Sequence, residues 1–124
     1  IHLLGYKSGE DLQREVGNAR FTVLSSEWRE NMPYSGLESL AAQTPIIGAR
    51  IGGIPELVEE GKTGVTFESG NAVDLSNSML KCAAVSALNY SAMQHSCREY
   101  VNARCLQNEY ALALVDLYER VIQR

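Results

Sequence analysis

At 124 residues with 45% hydrophobic and 21% charged positions, the chain fits one soluble globular domain with a single core, away from disordered or fibrous compositions. A formal charge of -4 with 11 scattered Lys and Arg excludes a dedicated nucleic-acid surface, and no nucleic-acid partner is expected. Three cysteines without a CxxC pair give neither a disulfide framework nor a zinc site, so Cys82, Cys97 and Cys105 are expected to be buried thiols in a cytoplasmic chain.

In chain order, "IHLL" (1–4) reads as a short strand. It lacks a Met or a polar lead-in and implies a chain cut from something longer. Residues 9–19 place Leu12, Val16 and Ala19 at helical spacing, and "RFTVLS" (20–25) returns to a β-branched and aromatic run. A helix is predicted from Pro33 to Ala42, a strand over "PIIGAR" (45–50), a turn and one or two helical turns in "GGIPELVEE", and a strand over 63–69. Short apolar strands separated by helices predict an α/β fold, a Rossmann-like parallel sheet with helices on both faces.

From Asn71 onward the pattern is helical, so the fold ends in a run of helices. Asn71 or Asp74 caps the first, which aligns Leu75, Met79 and Cys82; the second aligns Met93, Cys97 and Tyr100. The third, 108–122, carries Tyr110, Leu114, Leu117 and Val121 on one face and Ala111, Val115, Tyr118 and Ile122 on the next. An apolar arc that wide predicts packing beyond the chain's own sheet, with 108–124 directed at a neighbouring domain.

Open parallel sheets bind ligands beyond the carboxyl ends of their strands, which points to the loops "GYKSG", "SEWRENMP" and "IGGIPE". Pro33 suits a first helical turn, and leaves the amides of Tyr34 and Ser35 free at the positive end of the helix dipole, an anion site. Glu30 precedes that helix and Glu38 lies inside it. A carboxylate beside a phosphate site is costly unless it accepts hydrogen bonds from hydroxyls, so sugar or ribose hydroxyls are natural partners. The plainer alternative is a solvated loop charge and a surface helix glutamate favoured by the dipole. Gly52 and Gly53 read either as a tight turn or as a place where a ligand nears the backbone. His2 and His95 have no nucleophile or metal-ligand spacing around them, and no metal is expected.

Taken in order, these loops resemble the C-terminal half of retaining glycosyltransferases of the GT-B fold, of the group 1, family 4 type. The likeness runs over residues 3–75 and centres on the Glu-x7-Glu motif of Glu30 and Glu38, followed by a small-residue helix, a Pro-initiated strand and "GGIPE". The resemblance implies transfer of a hexose from a nucleotide diphosphate sugar with retention, without a cofactor or metal. It implies a catalytic Glu30 on the hydroxyls of the transferred sugar and Glu38 on the ribose. The amides of Tyr34 and Ser35 would meet the distal phosphate, those of Asn31 and Met32 would lie along the sugar, Tyr6 and Lys7 would meet the nucleobase, and Gly52 and Gly53 would border the donor.

In that frame the chain is a partial nucleotide-sugar-binding domain, 1–124, without the first strands and the acceptor domain of similar enzymes. It is expected to be inert alone. The acceptor, a carbohydrate or a lipid-linked one, would enter through the missing domain, with peripheral membrane association of the whole enzyme. "SS" at Ser25 and Ser26 and Gln43 depart from the family pattern, Gln43 standing where a left-handed glycine is convenient. A nucleotide-sugar epimerase or phosphorylase of the same architecture, or a noncatalytic domain keeping the fold, are the other readings.

Overall fold

The structure, a computed structural model, describes residues 1–105 and 107–123; position 124 of the expected terminal region lies outside them. In chain order the elements are α1 (Gly9–Asn18), β1 (Thr22–Leu24), α2 (Tyr34–Ala41), β2 (Ile46–Ala49), α3 (Ile54–Leu57), β3 (Gly64–Phe67), α4 (Ala72–Ala83), α5 (Ala87–Arg104) and α6 (Gln107–Ile122). The three strands form one parallel sheet in the order β1-β2-β3, with Val23 opposite Ile47 and Ile47 opposite Val65. The fold is the expected α/β, Rossmann-like one, ending in helices.

β2 lies in the middle and is buried along its whole length, which is why "IIGA" reads as a continuous apolar run. Neighbouring side chains on a strand point to opposite faces. Ile46 accordingly joins Leu40 of α2, Leu57, and Cys97 and Tyr100 of α5 on one side. Ile47 joins Ala49, Phe67 and Cys82 of α4 on the other. Gly36 lets α2 settle on the first face, since a Cβ there would sit 2.5 Å from Leu57 Cδ1.

Buried polar groups are used as ties. Ser39 donates to the Thr44 carbonyl at 2.7 Å and is hydrogen-bonded with Thr22 Oγ1 at 2.8 Å, while Thr44 Oγ1 donates to Val16 O at 2.8 Å. These bonds hold α1, α2 and the start of β2 together. Gln43 ends α2 with φ of 60°, the left-handed conformation in which a glycine is unstrained.

The expected strand at 1–4 does not form. Ile1 and Leu3 are fully exposed, and no strand lies beside them. A strand gains its stability from a ladder partner, and among the described residues β1 pairs only with β2. On α4 the core-facing line runs through half-buried Leu75 and buried Ser78 and Cys82, while Met79 is exposed at 48%; Asn71 is the cap, accepting from the amides of Val73 and Asp74. Met93, Cys97 and Tyr100 are buried as expected.

Cys82 and Cys97 are buried, but Cys105 is exposed just past the end of α5. Burial pushes the Cys97 thiol up to about 12 and raises that of Cys82, with Glu60 adding to the effect and Arg20 opposing it. On α6, Tyr110, Leu117, Val121 and Ile122 are all more than half exposed. No described helix is long and apolar enough to cross a membrane.

Candidate functional site

β1, β2 and β3 all point the same way, so the loops 25–33, 50–53 and 68–71 gather at one edge of the sheet. Cross-links sew them together: Gly53 N–H donates to Glu30 O at 2.7 Å, and Ser69 Oγ donates to Ser26 O at 3.2 Å. Arg50 pairs with Asp74 at 3.6 Å, and the Asp74 carboxylate also accepts from Glu68 N–H at 2.7 Å.

α2 begins one residue later than the sequence suggested. Pro33 is buried and extended (φ -69°, ψ 121°), serving as N-cap rather than as a first-turn residue. Its carbonyl accepts from Gly36 N–H at 3.0 Å and Leu37 N–H at 3.4 Å, while no side chain caps the helix. The amides of Tyr34 and Ser35 therefore have no protein acceptor among the described residues. Two unfilled donors at the positive end of a helix are suited to an anion.

Glu30 and Glu38 are both exposed, and neither carboxylate takes part in a salt bridge or side-chain hydrogen bond among the described residues. They open onto different concavities. Glu30 lines a cleft of about 320 Å3 with Ser25, Ser26, Pro33, Ser35 and Ile54. Glu38 lines a groove of about 410 Å3 with Gln13 and Gly17 of α1 and with Ala41 and Ala42. The free amides at the start of α2 thus stand by the cleft of Glu30, while Glu38, in the C-terminal half of the same helix, lines a separate groove.

The remaining expected residues are placed as follows. Asn31 and Met32 lie exposed in the loop between Glu30 and Pro33. Tyr6 is 93% exposed ahead of α1, and Lys7 pairs with Glu15 at 3.7 Å; neither lines the cleft or the groove. The close approach expected of a ligand at Gly52 and Gly53 is made by the protein itself. A Cβ on Gly53 would lie 1.5 Å from Asn31 O, and one on Gly52 2.4 Å from Glu30 O.

Sequence reasoning did not single out Gln13 and Gly17, because only folding brings α1 beside Glu38. Ser25 and Ser26 were noticed as departures, not as cleft lining. Ser26 also shapes its loop, accepting from Trp28 N–H at 3.3 Å. A more apolar hollow of about 260 Å3 lies between α4 and α5, lined by Val65, Cys82, Val85 and Met93, away from the strand ends. Among the described residues no three His, Cys, Asp or Glu side chains are grouped as metal ligands.

Residues 1–104 match the family Glycosyl transferases group 1. The chain belongs to that family. Its curated relatives include an uncharacterized glycosyltransferase from Methanocaldococcus jannaschii, 32% identical over 81 residues, which are 65% of this chain and 23% of that protein. Among solved structures it is similar to a glycosyltransferase from Rickettsia africae, with a TM-score of 0.83 and 19% identity over 96% of this chain and 32% of that one. It is also similar to Anabaena HepE in complex with UDP-glucose, with a TM-score of 0.77 and 20% identity over 91% of this chain and 31% of that one. At these identities the structures share the fold of this group 1 glycosyl transferase chain, which spans less than a quarter of the curated relatives it matches.

Proposed function

We propose that the chain is the donor-binding portion of a retaining hexosyltransferase that uses a nucleotide diphosphate sugar. One observation carries this reading: at the ligand-binding edge of a parallel sheet the free amides of Tyr34 and Ser35 stand beside a cleft lined by Glu30, and Glu38, further along the same helix, lines a groove of its own. The family match and the UDP-glucose bound to a protein of the same fold support it.

In this proposal the distal phosphate sits on the amides of Tyr34 and Ser35. The sugar extends into the cleft of Glu30, along Asn31 and Met32, and the ribose reaches the groove of Glu38, with the base toward Tyr6 and Lys7. Transfer breaks the bond between the anomeric carbon and the diphosphate oxygen and forms one to an acceptor oxygen on the same face. Negative charge builds on the departing diphosphate, where preorganised amides and the helix dipole stabilise it. Glu30 accepts hydrogen bonds from sugar hydroxyls, which holds the anomeric carbon in place as the bond breaks.

No metal or cofactor is needed for these roles. Further cations on the diphosphate, and a carbohydrate or lipid-linked acceptor, belong to the rest of a larger enzyme, in the cytoplasm or peripheral to a membrane. The terminal region with its exposed α6 is assigned to contact with that remainder.

Glu38→Ala should weaken nucleotide-sugar affinity by roughly 10- to 100-fold, the effect of losing hydrogen bonds to a charged acceptor. Calorimetric titration of the full-length protein with its donor measures this. An unchanged affinity removes Glu38 from the site. Product analysis separates the other readings, since an altered free sugar or a sugar phosphate without a glycosylated acceptor indicates an epimerase or phosphorylase.

A further inference from the structure

We propose that Gly52 and Gly53 are positioning residues that fix the backbone of Glu30 and Asn31, and through it the reach of the Glu30 carboxylate, independently of Glu38. The proposal rests on the reading of Glu30 as the residue facing the transferred sugar.

The loop that bears Glu30 has few other restraints. Glu30 N–H donates to Trp28 O at 3.0 Å, Trp28 N–H donates to Ser26 Oγ at 3.3 Å, and the Ser26 carbonyl accepts from Ser69 Oγ. Among the described residues, the Glu30 carbonyl is held by a single hydrogen bond, from Gly53 N–H at 2.7 Å. Around it the contact is backbone against backbone. A Cβ on Gly53 would meet Asn31 O at 1.5 Å and Asn31 C at 2.6 Å, and one on Gly52 would meet Glu30 O at 2.4 Å and Glu30 N at 2.8 Å. A flexible side chain could swing away from such a contact, whereas the main chain of 30–31 must move as a whole.

The two glycines differ in a useful way. Gly52 has φ of 55°, so a substitution there adds backbone strain to the clash. Gly53 has φ of -87° and ψ of -2°, a conformation open to any residue. The effect of Gly53→Ala is therefore the displacement of Glu30 and Asn31. Glu38 is carried by α2 and lines a groove formed with α1, which does not touch this turn.

A misplacement of about 1 Å at a reacting group costs on the order of 100-fold in rate. In the full-length protein, Gly53→Ala is expected to lower kcat roughly 10- to 100-fold, while affinity for the free nucleoside diphosphate of its donor stays within about threefold. In nitrogen-15 spectra of this chain, the variant should shift the amides of 29–32 and leave Gln13, Gly17 and Glu38 in place. Loss of nucleotide affinity in parallel with turnover, or unchanged kcat in a folded variant, overturns the proposal.

Amide hydrogen exchange on the unsubstituted chain keeps the test open should Gly53→Ala fail to fold. The Gly53 amide should exchange far more slowly than those of Asn31 and Met32, and exchange at their rate contradicts the clamp. If Glu30→Ala leaves turnover intact, the reading of Glu30 fails by itself, whatever the amides show. If Glu30→Ala impairs turnover and Gly53→Ala does not, only the positioning role is lost.

Discussion

Glu30→Ala in the full-length enzyme is expected to reduce kcat by on the order of 100-fold, with a change of less than about threefold in affinity for the nucleoside diphosphate. A hydrogen bond to a charged acceptor contributes about 1.5–3 kcal/mol, and a glutamate gripping sugar hydroxyls makes more than one. Part of this grip tightens as the anomeric carbon becomes cationic, and that part appears in kcat rather than in KM. The carboxylate is exposed and without a partner among the described residues, so its removal leaves no buried group unsatisfied and little cost in folding. Steady-state kinetics with saturating donor, alongside a thermal melt, separate the two effects. Equal loss of nucleotide affinity would move Glu30 from the sugar side to the nucleotide side.

Leu40→Ala should have the largest effect on stability. Leu40 is fully buried in α2 and packs in the cluster with Ile46, Leu57, Cys97 and Tyr100, so it joins α2 to the central strand and to α5. Truncating such a leucine costs about 2–5 kcal/mol, a large part of the roughly 5–15 kcal/mol that holds a domain together. Urea unfolding should show a markedly lower midpoint with an unchanged slope. A shift below about 0.5 kcal/mol, the scale of a surface substitution, would contradict the core described above.

What could be read from the sequence follows the range over which each signal acts. β2 was legible because a central parallel strand is apolar on both faces, and "IIGA" is. The amides of Tyr34 and Ser35 could be singled out because helix ends are local events, although the register slipped by one residue and made Pro33 the cap, whereas the roles of the two glutamates came from the family resemblance and not from local spacing. "IHLL" has the composition of a strand, but a strand exists only by pairing, and composition carries no record of the partner. Met79 and Ser78 lie on adjoining stripes of α4. Helical periodicity put the larger apolar side chain inside, whereas in the fold the serine is buried and the methionine exposed. At Gly52 and Gly53 the sequence left a tight turn and a ligand's approach as alternatives, and the group that comes close in the fold, the backbone of 30–31, is distant in sequence and appears only on folding.

The central claim is that the start of α2 and the cleft of Glu30, with Glu38 further along the helix, receive a nucleotide sugar. The most direct test is a titration of the nitrogen-15 labelled chain with UDP-glucose, GDP-mannose and ADP-glucose in turn. At least one donor should shift the amides of Tyr34 and Ser35 most strongly, with smaller shifts at Glu30, Asn31 and Glu38. Silence at Tyr34 and Ser35 with all three, or shifts confined to the hollow between α4 and α5, would contradict it.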